Sequence, residues 1–246
     1  MPIIFKNIRR KLAAENKATA YLRYAIGEIL LVVIGILLAL QVNTWNHQRL
    51  DRIKSIGYHQ SLISDLDIII KDAENDSIRA NHIQQSISES VGILERKNLT
   101  DSTRKILNTA LENFYQFVPL TTQLTSSEEM KSSGELGLIY DPKLRNKIAR
   151  YQVLHSFISK VYDELARKVS NTDFIDPYVR ITLKPEASKD SVEYNFQAMA
   201  ADPKVVNILS RYASDWQTKE IFSGLLASNA KKLKIAVQSE LNKIEK

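Results

Sequence analysis

The stretch YAIGEILLVVIGILLALQVNTW, residues 24–45, decides the fold. From Ile29 to Leu40 it is unbroken aliphatic residues plus Gly35 and Ala39, and from Ala25 to Val42 only Glu28 and Gln41 are polar. A helix from Tyr24 to Trp45 rises about 31 Å, which matches a hydrocarbon core of about 30 Å. Tyr21 and Tyr24 at one end and Trp45 at the other stand where interfacial aromatic anchors belong. The segment reads as one transmembrane helix.

Working outward, the charge is placed to match. The net charge is +6, yet residues 1–24 alone carry six basic side chains against Glu15. Residues 46–246 hold 28 basic and 26 acidic side chains, so the basic excess belongs to the N-terminal flank. A basic flank beside a span is the positive-inside signal. It places residues 1–23 in the cytoplasm and residues 46–246 on the far side of the membrane. A nucleic-acid partner is not expected, because the charge is not spread over a soluble domain.

A cleaved secretory signal is the rival for this segment. Signal cores run roughly 7–15 apolar residues and end at a small-x-small site. Here the core is longer, 23 residues precede it, and Leu37 stands where a small residue should precede Ala39. An uncleaved anchor is the better reading. The chain has no cysteine, which excludes disulfides and thiolate metal sites. Within the flank, Phe5, Ile8 and Leu12 form an apolar stripe among Lys6, Arg9, Arg10 and Lys11. That pattern suits a short helix lying on an anionic leaflet, and equally a basic tail that serves only topology.

Beyond the span, seven glycines and six prolines in 246 residues favour helices over sheets. The expected fold class is all-α: one N-terminal transmembrane helix, then a long-helix bundle. No proline interrupts residues 25–97, so the membrane helix can run on, with Gly57 as the natural flex point. Alternating steps of three and four from Ile56 through His59, Ile63, Leu66, Ile70, Ala73, Ser77, Ala80, Gln84, Ile87, Val91 and Leu94 predict a helix ending near Lys97. Thr100 or Asp101 caps a second helix carrying Ile106, Leu107, Ala110, Leu111, Phe114 and Phe117, stopped by Pro119. Ser126 and Ser127 can cap a short helix, which Gly134 and Gly137 break.

Asp141-Pro142 and Asp202-Pro203 each place an N-cap before a proline suited to a first helical position. The eleven residues from Asp141 to Tyr151 share six identities with those from Asp202 to Tyr212. Either duplicated hairpins or shared cap chemistry explains this. Both sites open long helices, the second reaching nearly to the C-terminus. The 172–200 connection between them is too long for a simple helix-helix turn and has room for an extended piece at Tyr178–Leu183.

Signals of chemistry are few. His47, His59, His82 and His155 form no helical pair, so a metal site lacks local support. His155 reads as a packed residue. Ser102-x-x-Lys105 and Ser228-x-x-Lys231 match an acyl-enzyme spacing, but no companion motif joins them. No phosphate-binding glycine loop or GxSxG is present. No catalytic residue, cofactor or metal is assigned, and the chain is expected not to be an enzyme. Glu28 is the one ionisable group at membrane depth. It either pairs with a polar partner or reaches the inner headgroups, about 6 Å away by helical rise. Gly35-x-x-x-Ala39 is a small-xxx-small face that lets a second helix approach, with Gly27 roughly on the same side and Glu28 beside it.

Residues 24–46, with Ile8-Arg-Arg-Lys-Leu12 and Glu15-Asn-Lys17 before them, resemble the opening of a family of single-span proteins from Bacteroidota. Glu129-Met-Lys-Ser-Ser-Gly-Glu-Leu-Gly-Leu-Ile139 and Leu144-Arg-Asn146 are similar to it as well. The resemblance covers the anchor closely and the remainder patchily. It implies a bacterial inner-membrane protein with a helical periplasmic domain, and it carries no activity or catalytic residue.

The resulting expectation is a membrane-anchored, non-enzymatic interaction or assembly module. Its partners would be the bilayer and either copies of itself or another membrane protein. The alternative is a ligand-sensing periplasmic bundle signalling through a separate protein, since about 24 residues inside are too few for an output domain.

Overall fold

The computed structural model describes residues 18–181 and 192–246, and the expected amphipathic stripe at Phe5, Ile8 and Leu12 lies outside them. Among the described residues the fold is all-α, with six α-helices and one small two-stranded ribbon. The chain divides into two units, Met1–Ser55 and Ile56–Lys246.

Helix α1 (Ala18–Arg96) passes through the boundary without a break, Gly57 included. The absence of proline between residues 25 and 97 leaves every backbone donor free to continue the ladder. An 18-residue window reaches a mean hydropathy of 2.5, and none of it is buried by the rest of the protein. Among the described residues, one helix is therefore long and apolar enough to cross a membrane.

In the second unit α1 presents a buried face whose register differs from the expected one. His59, Leu66, Ala73, Ala80, Ile87 and Leu94 are buried as the spacing predicts. The intervening places belong to Leu62, Ile69, Ile83 and Ser90, while Ile63, Ile70, Gln84 and Val91 are only half-buried. The face contacts several elements and is broader than a two-stranded seam, so its centre sits one residue earlier. Ser77 and Gln84, which dilute the expected seam, lie at its margin. Lys97 closes the helix in the left-handed conformation, with φ of 53°.

Thr100 caps α2 (Asp101–Asn113) through a reciprocal capping box with Thr103. The helix ends earlier than expected, so Phe114 and Phe117 leave it and are buried in the core. The cap of α3 (Thr125–Ser132) also differs from expectation. Ser126 and Ser127 lie inside its first turn, and the capping acceptor is Asp65 of α1. Its carboxylate takes the Ser126 backbone N–H and hydroxyl, each at 2.8 Å. Gly134, with φ of 74°, turns the chain into a short 3-10 segment at Glu135–Leu138.

Asp141 and Asp202 cap α4 (Pro142–Val169) and α6 (Pro203–Ile244) in the same way, each accepting the N–H two residues on. Between these helices lie β1 (Val179–Ile181), β2 (Val192–Tyr194) and α5 (Phe196–Ala201). The strands pair antiparallel, Val179 with Tyr194 and Ile181 with Val192. This ribbon occupies part of the expected extended piece. Helices α4 and α6 run antiparallel, as Phe157 meets Phe222 and Tyr212 meets Lys168. Where they and α1 converge, Phe117 packs on Trp216 at 5.1 Å and on Tyr162 at 5.7 Å between ring centroids.

Candidate functional site

Three places depart from ordinary core packing: the exposed apolar part of α1, a charged pair in the core, and the surface and cavities between α4 and its neighbours.

In the apolar part of α1, Gly27 and Gly35 have nothing within 4 Å of where a side chain would begin. Ala39 is exposed with them, and Glu28 is half-buried. Val33, at 44%, and Leu31, at 69%, bound the exposure of the large aliphatic side chains from Ile29 to Leu40. An apolar surface this continuous needs lipid or protein against it. Trp45 is exposed, as an interfacial anchor would be. The side chains of Tyr21 and Tyr24 lie outside the described residues.

In the core, Lys219 of α6 is only 2% exposed. Its Nζ donates to the Val118 carbonyl at 2.7 Å and lies 3.4 Å from an Asp76 carboxylate oxygen. The rings of Phe117, Tyr162 and Trp216 surround it, the nearest centroid at 4.4 Å. Aromatic faces attract a cation and repay part of its lost hydration. Burial still pulls the ammonium below the ordinary lysine value, with Asp76 opposing that shift. Tyr162 donates to the Lys219 carbonyl at 3.0 Å, so on its 2.6 Å contact with Ser223 the serine is the donor. Asn81 and Ser77 of α1 bond Glu220 alongside. The arrangement ties α1, α4 and α6 in one register. It offers no cleft for a substrate, since Lys219 is covered by rings.

This pair was not anticipated from sequence, although a signal existed. Asp76 interrupts the apolar stripe of α1, and Lys219 interrupts that of α6 between Trp216 and Leu226. Opposite charges in two apolar stripes imply each other, because an unpaired buried charge is too costly.

Outside the core, α4 and α6 each carry exposed apolar side chains. Val153 is 72% exposed and Phe157 53% on α4; Ile221 and Leu225 are exposed on α6. Phe157 meets Phe222 edge-to-face at 5.9 Å, joining the two rows. Tyr151 of α4 lines two cavities, one of about 350 Å³ and one of about 360 Å³. The tyrosine is 4% exposed, and its hydroxyl has no hydrogen-bond partner among the described residues. Burial raises its pKa, so the phenol stays a neutral donor.

His155 lines the first cavity, half-buried as expected of a packed residue. Its Nε2 donates to the Thr122 carbonyl, and desolvation lowers its pKa. The two Ser-x-x-Lys spacings are not brought into any shared cavity. Lys231 pairs with Glu74, and Ser102 contacts the Thr100 hydroxyl of the helix cap. No cluster of three metal-ligating side chains occurs among the described residues.

No family model, curated protein or solved structure matches this chain, so the likeness to the Bacteroidota family stays an expectation.

Proposed function

We propose that this protein is a membrane-anchored, non-enzymatic assembly module of the bacterial inner membrane. Its N-terminus is cytoplasmic and its bundle periplasmic, a reading supported by the basic flank before the span. The observation that carries the function is the set of exposed apolar side chains Val153, Phe157, Ile221 and Leu225 on α4 and α6. Monomeric domains seldom leave such joined apolar rows in water. The occupant is a second copy of the chain. The span carries its own uncovered small-residue face at Gly27, Gly35 and Ala39, so each unit holds a surface suited to self-association. In a two-fold contact the same patch meets itself.

The chain has no cysteine, which makes the test clean. In membranes, Phe157→Cys should form an oxidant-dependent dimer, while a cysteine at exposed Lys105 should not. Gly35→Leu should weaken the Phe157→Cys crosslink. Equal crosslinking at both positions, or none at Phe157, overturns the proposal. A second reading, a ligand-sensing bundle signalling through another protein, is favoured by one observation: the unpartnered hydroxyl of Tyr151 beside two cavities.

A further inference from the structure

The cavity of about 360 Å³ between α4 and α6 is lined by Lys147, Arg150, Tyr151, Leu154, Asn229 and Lys232, with Leu233 completing its wall. Three of these side chains are cationic and none is acidic. Lys147, Arg150 and Lys232 make no hydrogen bond or ion pair among the described residues, unlike neighbouring Lys231 and Lys234, which pair with Glu74 and Asp67. Like charges converging on one space repel, so their placement without a counter-charge suits an anion. Leu154 and Leu233 give the same space an apolar wall. The buried, unpartnered Tyr151 hydroxyl adds a neutral donor whose desolvation is otherwise uncompensated.

We infer that this cavity is a binding site for a small organic anion, a phosphate or carboxylate group carried on an apolar body. The three cations hold the anionic group, Tyr151 donates to it with the one amide hydrogen of Asn229 that the Leu225 carbonyl leaves free, and the two leucines take the body. The volume falls within the range usual for small-molecule sites. This deepens the ligand-sensing reading by naming its ligand class, and it does not require self-association.

The test uses the full chain in nonionic detergent, titrated calorimetrically with hexyl phosphate. Inorganic phosphate and hexanol serve as the two half-ligands. Saturable binding of hexyl phosphate is expected, about tenfold or more tighter than either half-ligand. Lys147→Gln with Lys232→Gln, both at exposed positions, should weaken it about tenfold, and Tyr151→Phe by several-fold. Unchanged melting of each variant by circular dichroism separates lost binding from lost fold. A free metabolite and a lipid headgroup share this chemistry. Reconstitution in phosphatidylcholine with and without phosphatidylglycerol distinguishes them: competition by the acidic lipid assigns the headgroup, and its absence the free anion. No saturable heat, hexanol binding as well as hexyl phosphate, or full affinity in the lysine variant overturns the site. Because binding is read directly, a site that binds but alters no partner would refute sensing while leaving the site intact.

Discussion

Removing Asp76 is the most informative single perturbation of the bundle. Asp76→Asn leaves the Lys219 ammonium buried with the Val118 carbonyl and three rings but without its counter-charge. Breaking a fully buried ion pair costs roughly 3–5 kcal/mol. Here Asp76 is 27% exposed and the contact is 3.4 Å, so solvent screens part of the interaction. We expect a loss of about 1–3 kcal/mol. The assay is urea unfolding followed by Trp216 fluorescence in a Trp45→Phe background. Trp216 is 1% exposed and is then the sole tryptophan. With an m-value of about 2 kcal/mol per molar, the midpoint should fall by about 0.5–1.5 M. Lys219→Met should cost less, because an apolar chain of similar length suits the aromatic cage. Once Lys219 is methionine, Asp76→Asn should be nearly neutral, giving a coupling of about 1 kcal/mol or more. The pH dependence has a defined sign. A lysine whose folded pKa lies below 10.5 binds more protons when unfolded between those two values, so its contribution to stability rises with pH across that window. Asp76→Asn removes an opposing influence and should extend the rise to lower pH. Strict additivity of the two substitutions would refute the pairing.

The remaining expectations use the same readout. Asp65→Ala strips the acceptor from the start of α3 and should cost about 1–2 kcal/mol, whereas Ser127→Ala should not reproduce a cap loss, because Ser127 holds no capping bond; equal costs would refute the cross-helix cap. Tyr162→Phe should destabilise by about 1 kcal/mol, since its hydroxyl bonds the Lys219 carbonyl and Ser223. Tyr151→Phe should be neutral or stabilising without ligand, because that hydroxyl bonds nothing among the described residues; a loss as large as that of Tyr162→Phe would show a missed partner. His155 has a pKa below its ordinary 6.5, so its contribution is complete above that value and is lost as pH falls through the lowered one. His155→Gln should therefore flatten the stability change just below pH 6.5, and an unchanged slope there would remove His155 as its source.

The sequence by itself determined everything that depends on local chemistry. The run from Ile29 to Leu40 needs only its own residues to be a long apolar helix. Thr100, Asp141-Pro142 and Asp202-Pro203 start helices because cap and N1 preferences act within a few residues. The end of α1 followed equally from short-range pattern. Tertiary structure decided what depends on neighbours distant in the chain. Leu62 and Ile63 are both apolar, so the buried register of α1 was set by the elements that packed on it. Phe114 and Phe117 lie past the end of α2, where Phe114 packs on Phe174 and Tyr212 and Phe117 on Tyr162 and Trp216, all partners far along the chain. Asp65 caps α3 across 61 residues, and Asp76 meets Lys219 across the bundle. The cations around Tyr151 come from two antiparallel helices, and only their packing brings Lys147, Arg150 and Lys232 to one cavity. A charge's worth depends on the dielectric and the partners around it, and these exist only once the chain has folded.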